Sequence, residues 1–157
     1  MANFDSAIDK VLINEGGYVN DPTDRGGETK FGISKRAYPN VDIKNLTTDE
    51  AKAIYKRDYW DKIKGDDIAD DLVAFEIFDT AVNMGARTSS KLVQMVVGVH
   101  PDGVIGEKSL EAINGTDVEL LVSKFRLSKI ARYLYLVKKR PANRKYLYGW
   151  INRVMGA

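Results

Sequence analysis

The segment from Leu72 to Met84 constrains the fold more than any other part of the chain, because it is apolar on almost every side. A helix with that pattern is buried in a globular protein, so we predict that it forms the central helix of the core. Its few polar residues include Glu76, Thr80 and Asn83, which follow the spacing i, i+4 and i+7 and share one narrow stripe. That stripe either faces solvent or lines a cleft.

Helical patterns also occur on both sides of this segment. Phe4, Ile8, Val11 and Leu12 form the apolar stripe of a first helix, which the pair Gly16-Gly17 ends. A capping box at Thr47 and Glu50 predicts the start of a second helix. Similar signals predict a helix over about 89–97 and a short helix that ends at about 114. They also predict a long helix from 118 to the break at Pro141 and a last helix around 146–154.

The stretch from Tyr18 to Ile33 has a different character. Turn-forming pairs such as Asp21-Pro22 and Gly26-Gly27 separate short β-branched and aromatic pieces, a pattern typical of a loop or a small irregular hairpin. We therefore predict a mostly α fold with a small β-hairpin or loop insertion near the N-terminus. The chain has the length of one ordinary domain, and we expect residues 1–157 to form one compact domain and a monomer.

The 157-residue chain has no cysteine and a single histidine, His100. These absences exclude disulfide bonds, thiolate zinc sites, a cysteine nucleophile and a multi-histidine metal site, and they disfavour a Ser-His-Asp arrangement. We therefore expect no metal and no cofactor, and any hydrolytic chemistry should use carboxylates. Residues 1–10 lack the charged start and apolar stretch of a signal peptide, so we expect a protein that accumulates in a cytoplasm.

The formal net charge of +2 conceals a strong asymmetry. Residues 124–157 contain ten basic residues and no acidic one, which leaves 14 basic against 22 acidic residues in 1–123. The basic stretch is either an ordinary solvated helix face or a surface for an anionic wall polymer, a phospholipid surface or a nucleic acid. We discount nucleic acid because no recognised binding motif accompanies the charge.

Glu15 is the first candidate for a catalytic carboxyl. It continues the apolar stripe of the first helix, about 20° from the direction of Phe4, and it occupies the helix's last turn. Partial burial and the negative helix end both disfavour the ionised carboxylate, as a general acid requires. The alternative is that Glu15 merely edges the stripe or pairs with a nearby Lys or Arg.

The segment after Glu15 supplies further carboxylates, Asp21, Asp24 and Glu28. Cleavage of a glycosidic bond usually needs one protonated carboxyl and one ionised carboxylate, roles that Glu15 and Asp24 can share. Thr29 offers a hydroxyl that can hold a water molecule. The alternative for Asp24 is a turn residue or a partner of Arg25.

The block NEGGYVNDPTDRGGETKFGIS, residues 14–34, resembles the signature of the glycoside hydrolase family 108 muramidases, phage-type endolysins that cut peptidoglycan glycan. The blocks FEIFDTAVNMG (75–85), DGVIG (102–106) and GWINR (149–153) resemble the peptidoglycan-binding region of that family. The resemblance implies a lysozyme-like fold, with a catalytic segment over about 1–85 and a peptidoglycan-binding segment over about 86–157. It also implies release of the protein from the host cytoplasm through a separate membrane-permeabilising protein.

The resemblance further implies that Glu15 is the catalytic acid. The spacing from Glu15 through Asp24 to Thr29 is similar to the Glu-Asp-Thr arrangement of the better-known phage lysozymes, with four rather than five residues between Asp and Thr. This departure leaves Asp21 as a competitor for the second carboxylate.

A glycan groove combines aromatic faces with hydrogen-bonding side chains, and Tyr18, Phe31 and Asn83 are the candidates that we favour for it. Aromatic residues at helical spacing are more often core, which is our interpretation of Tyr146 and Trp150. The resulting hypothesis is a hydrolase of the β-1,4 bond between N-acetylmuramic acid and N-acetylglucosamine. The alternatives are a lytic transglycosylase that uses Glu15 alone, and a non-catalytic wall-binding or cationic membrane-disrupting protein.

Overall fold

The computed structural model describes residues 1–23 and 25–156. Within them the elements follow the order α1 (Phe4–Glu15), β1 (Val19–Asn20), β2 (Glu28–Lys30), β3 (Ile33–Ser34), α2 (Thr48–Tyr55), α3 (Asp71–Met84), α4 (Ala86–Val97), α5 (Glu107–Gly115), α6 (Val118–Lys139) and α7 (Leu147–Met155). A π-helical segment, Lys56–Trp60, and two 3-10 segments, Gly65–Asp67 and Pro141–Tyr146, connect some of them. The predicted fold class is confirmed: a mostly α protein with a small β insertion near the N-terminus.

Four of the described α-helices, α1, α2, α3 and α6, begin where a side chain caps a free backbone N–H group. The predicted capping box is present in α2, where Thr47 Oγ1 accepts from the Glu50 N–H at 3.2 Å and Glu50 Oε2 accepts from the Thr47 N–H at 2.8 Å. The side chains of Asn3, Asp70 and Asp117 cap α1, α3 and α6 in the same way.

Helix α3 is the centre of the core, as predicted. Ile77 and Phe78 are fully buried, and the Phe78 ring makes edge contacts with Phe4 of α1 and with Trp60 at centroid distances of 6.0 and 5.3 Å. Helices α4 and α6 pack against α3, and only Gly85 separates α3 from α4. One apolar cluster therefore contains residues from Ala2 to Phe125, while the division into a catalytic and a binding segment stays a prediction.

The polar stripe of α3 does not face solvent over most of its length. Glu76 and Thr80 are buried, and Arg126 of α6 donates from Nη2 to Glu76 Oε1 at 2.6 Å. Thr80 Oγ1 donates to the Glu76 carbonyl oxygen at 2.7 Å, whereas Asn83 is exposed. The solvent-facing interpretation is thus wrong for Glu76 and Thr80, and α6 supplies the cation that the buried carboxylate of Glu76 needs.

The N-terminal insertion is a three-stranded antiparallel sheet in the order β1-β2-β3. Val19 pairs with Thr29, and Lys30 pairs with Ile33, so a two-residue turn at Phe31-Gly32 joins β2 to β3. Both turn residues have positive φ, 53° and 77°, which is the geometry of a type I′ hairpin turn. Gly32 tolerates this conformation, whereas Phe31 adopts it at a steric cost.

The DGVIG block is a turn between α4 and α5 that a buried side chain holds in place. Gln94 Nε2 donates to Asp102 Oδ1 at 2.9 Å and to the Val104 carbonyl oxygen at 3.0 Å, and Gln94 Oε1 accepts from the Gly103 N–H at 2.8 Å. Asp102 Oδ1 also accepts from the Val104 N–H at 2.9 Å, which closes an Asx turn. These bonds explain the block as structural support.

Among the described helices, none combines the length and the apolar character that a membrane crossing requires.

Candidate active site

Glu15 is the last residue of α1, and its half-buried carboxylate points toward the C-terminal helix α7. Arg153 of α7 lies with Nη2 at 3.5 Å from Glu15 Oε1. The sequence position thus places Glu15 at the negative end of a helix, and the fold brings a guanidinium to it. The guanidinium and the negative helix end are thus opposite charges beside one carboxyl group.

Arg153 is shared between two carboxylates. Its Nη2 also lies 3.1 Å from Oδ1 of Asp79, a buried residue of α3. Three helices, α1, α3 and α7, therefore meet at one guanidinium. Because Asp79 is nearer to Arg153 than Glu15 is, only part of the cation's influence reaches Glu15.

The turn of the small sheet lies directly on Glu15. A Cβ atom placed on Gly32 would come within 2.9 Å of Glu15 Oε2 and within 2.5 Å of the Tyr55 hydroxyl oxygen. Tyr55 Oη donates to the Phe31 carbonyl oxygen at 2.6 Å, which fixes the turn to α2. The absence of a side chain at Gly32 lets the sheet contact the carboxylate this closely.

Tyr55 remains a hydrogen-bond donor over the physiological pH range. Burial raises the pKa of Tyr55 well above its usual value, and the negative charge of Glu15 raises it further. Glu15 therefore lies between a cation on α7 and a neutral hydroxyl on α2.

The predicted second carboxylates are only partly placed. Asp24 lies outside the described residues. Asp21 accepts from both the N–H and the Oγ1 of Thr23, at 2.8 and 2.7 Å, and these hydrogen bonds hold the pKa of Asp21 below its usual value. This exposed Asx turn accounts for Asp21 structurally. Glu28 accepts from the Tyr18 hydroxyl at 3.2 Å.

The structure brings two of the other predicted residues to the sheet beside Glu15. Thr29 is the central residue of β2, opposite Val19 and Ser34, and is half-buried. Phe31 forms the turn against Glu15. Tyr18 lies immediately before β1 and is exposed, and its hydroxyl donates to Glu28, the first residue of β2.

Asn83 joins a different set of residues. Its Nδ2 donates in a short hydrogen bond to the hydroxyl of Tyr133 on α6, and Tyr133 stacks on Trp150 of α7 at a centroid distance of 4.9 Å. Trp150 in turn contacts Tyr146 at 5.8 Å. The core interpretation is wrong for Tyr146, which is exposed, and Trp150 is only half-buried. The structure thus forms an aromatic row that starts at Asn83.

Sequence reasoning missed Asp79, Arg153 and Tyr55 as members of this site. A signal existed for Asp79, because a carboxylate in an otherwise apolar helix needs a buried cationic partner. Nothing local identified Arg153 as that partner, since 74 residues separate the two in the chain.

Arg153 and Asp79 also line a cavity of about 530 Å³ between α1, α3, α6 and α7. Lys129 of α6 lies on its wall, only 4% exposed, with Nζ 3.6 Å from Glu76 Oε2. Burial lowers the pKa of Lys129, while the carboxylates of Glu76 and Asp79 oppose that shift. No group of three or more acidic or histidine side chains among residues 1–23 and 25–156 is arranged to hold a metal ion.

Two regions of the chain match known family models. Residues 8–85 match the model described as "Glycosyl hydrolase 108", and residues 83–155 match the model described as "Predicted Peptidoglycan domain". No curated protein matches the chain. Among solved structures, the chain is similar to SagA of Brucella abortus, with 32% sequence identity and a TM-score of 0.82 over 97% of this chain and 89% of that one. The matched regions include both Glu15 and Arg153.

Proposed function

The chain belongs to the glycosyl hydrolase 108 family and is a glycoside hydrolase that acts on peptidoglycan, and from this premise we propose that it is an N-acetylmuramidase. The bond cleaved is the β-1,4 bond between N-acetylmuramic acid and N-acetylglucosamine. Glu15 is the general acid, and Asp24 and Thr29 act on the opposite side of the scissile bond. The observation that carries the proposal is the convergence of the Phe31-Gly32 turn, Tyr55 and Arg153 on Glu15.

In the proposed reaction, protonated Glu15 gives its proton to the glycosidic oxygen, and the bond from that oxygen to C1 of the muramic acid breaks. Water, held by Thr29, adds at C1, and its proton goes to the Asp24 carboxylate. The products are a free 4-hydroxyl on N-acetylglucosamine and a reducing muramic acid end.

The candidate contacts to the glycan come from two parts of the fold. Tyr18 precedes β1 and Phe31 lies in the turn between β2 and β3, whereas Asn83 leads into the aromatic row of Tyr133, Trp150 and Tyr146. A sugar presents apolar C–H faces and a rim of hydroxyls, which suit aromatic rings and an amide respectively.

Glu15→Gln tests the acid. The variant keeps the size of the side chain but has no acidic proton to give to the leaving oxygen, so we expect turnover of purified peptidoglycan to fall by about 100-fold or more. Circular dichroism provides the control for folding. A folded variant that clears permeabilised Gram-negative cells as fast as the parent would contradict the assignment of Glu15 as the catalytic acid.

Asp24→Asn tests the second carboxylate in the same assay. We expect a strong loss of turnover with binding to purified wall largely unchanged, because the substitution removes the charge without altering the volume of the side chain. Undiminished turnover would transfer the role to another group, with Asp21→Asn as the next variant.

Product analysis separates hydrolysis from lytic transglycosylation. A transglycosylase needs only the acid, because the 6-hydroxyl of muramic acid replaces water and leaves 1,6-anhydro ends. We expect reducing muramic acid ends. Anhydro ends from the parent enzyme would overturn the hydrolase proposal and leave Glu15 as its single catalytic carboxyl.

We also propose the biological setting that the endolysin resemblance implies, which is accumulation in a host cytoplasm and cell lysis after release. SagA, the similar structure, comes from a bacterium. Expression in Escherichia coli should leave the culture intact until a membrane-permeabilising agent is added. Lysis without that agent would contradict the proposed dependence on release.

A further inference from the structure

Helix α6 carries an apolar stripe that no part of the described chain covers. Leu120, Leu127 and Leu134 are 48%, 64% and 53% exposed, and they recur at intervals of seven residues. At 100° per residue, the three lie within about 40° of one another around the helix axis. They therefore form one row about 21 Å long on the surface.

This row lies on the side of α6 that faces away from the core. On average, the five buried residues of the helix point about 170° from the leucines, although Leu121 lies only about 100° from Leu120. The leucines therefore lie mainly on the side of α6 opposite its buried face. Three large apolar side chains in a row on a surface are a feature that marks interaction sites.

The charged residues beside Leu127 and Leu134 are cations, whereas Leu120 follows the exposed acidic residues Asp117 and Glu119 at the start of the helix. Lys124 and Lys138 are exposed on the same face, and no acidic residue occurs anywhere in 124–157. Tyr135 lies at one edge of the row, with Arg132 and Lys139 against its ring at 5.6 and 6.0 Å. The face therefore combines an apolar row, basic residues and an interfacial aromatic residue.

We propose that this face of α6 binds an anionic phospholipid surface, with the helix lying in the plane of the interface. A bilayer interface offers the two chemistries that the face requires, since the acyl boundary takes the leucines and the headgroups neutralise the lysines. A soluble anionic polymer neutralises the lysines but leaves the leucines in water. A second copy of the same face would bring lysines against lysines.

The proposal is independent of the chemistry at Glu15, and its test needs no activity. The full-length protein is mixed with vesicles of phosphatidylglycerol or of phosphatidylcholine, and the bound fraction is measured by sedimentation. We expect binding to the anionic vesicles only. The double variant Leu127→Gln/Leu134→Gln should bind the anionic vesicles at least about tenfold more weakly, because two of the three inserting side chains become polar.

Ile13→Gln is the matched control, because Ile13 is 81% exposed on α1 and lies outside the basic stretch. This control should bind like the parent, and Glu15→Gln should as well. Lys124→Gln/Lys138→Gln should weaken binding to the anionic vesicles. Far-UV circular dichroism and turnover of a soluble glycan should be unchanged in the leucine variant, since neither leucine belongs to the site or the core.

Four results would overturn the proposal. The first two are equal binding to both vesicle types and undiminished vesicle binding by the leucine variant. The third is a parent dimer in analytical ultracentrifugation that the leucine variant lacks, which would make a second copy the occupant. The fourth is a leucine variant that no longer binds purified sacculi but binds vesicles as the parent does, which would assign the face to a wall polymer.

Discussion

At the scale of single residues, Gly32 determines how closely the sheet can approach Glu15, the proposed acid. Its positive φ could be supplied by a few other residues at a cost, but the space beside Glu15 Oε2 and the Tyr55 hydroxyl cannot accept a Cβ. The turn also forces Phe31 into a positive φ, and the Tyr55 hydrogen bond to the Phe31 carbonyl offsets that strain.

Gly32→Ala should therefore lower both stability and turnover. We expect a loss of about 1–3 kcal/mol in the free energy of unfolding from the backbone conformation and the contacts. Turnover should fall because the turn, Tyr55 or Glu15 has to move. Chemical denaturation and a peptidoglycan assay measure the two effects.

Gly98→Ala is the control for backbone strain alone, since Gly98 has φ of 78° and open space around its Cα. This control should lose stability but not turnover per folded molecule. Normal turnover in folded Gly32→Ala would show that the close approach has no role at the site.

At the scale of the elements, Arg153 connects α7 to both α1 and α3. The groups that face Glu15 in the described structure are Arg153, Asp79 behind it and the Tyr55 hydroxyl. Asp79→Asn removes a negative charge from this set and leaves Arg153 beside Glu15. Arg153→Gln removes the cation and leaves the buried carboxylate of Asp79 without it.

Arg153→Gln should therefore destabilise the protein more than Asp79→Asn does. We expect Arg153→Gln to lose about 2–3 kcal/mol in the free energy of unfolding, because it leaves the buried carboxylate of Asp79 without its cation, whereas Asp79→Asn leaves a neutral amide there. Chemical denaturation of the two variants measures the difference. Equal losses would indicate that the contact between Asp79 and Arg153 does not hold α7 on α3.

The helices were largely predictable from the sequence, whereas the contacts between distant helices were not. Periodicity and capping residues predicted α1, α2 and α3 well, because those signals are local. The start of α4 lies three residues before its predicted position, since Gly85 ends α3 and α4 follows at once. Glu15 was identified from its place on α1. Its contact with Arg153 spans 138 residues of chain, and no local pattern encodes a contact at that distance.

At the scale of the whole molecule, the two charge regions of the chain supply the residues of two separate proposals. Residues 1–123 include Glu15, Asp24 and Asp79, whereas residues 124–157 supply the basic residues of α6 and α7. Arg153 is the point where the basic region enters the site. The remaining cations are mostly at the surface, where salt screens them strongly.

Raising the salt concentration should therefore weaken attachment to anionic envelopes more than it weakens cleavage. We expect binding to anionic vesicles to fall steeply between about 0.05 and 0.5 M salt, because the Debye length falls severalfold over that range. Turnover of a short soluble glycan should change much less. Equal sensitivity of the two would mean that one surface serves both.

The position of Arg153 in the last helix also has a consequence for folding. The site is not complete when the first 85 residues have formed their helices and sheet, because a cation from α7 must still reach α1. Closing a loop of this length is entropically expensive, and the packed helices between the two ends supply the compensating free energy. Until α7 has docked, a polypeptide that is still being synthesised therefore lacks the guanidinium that lies beside Glu15.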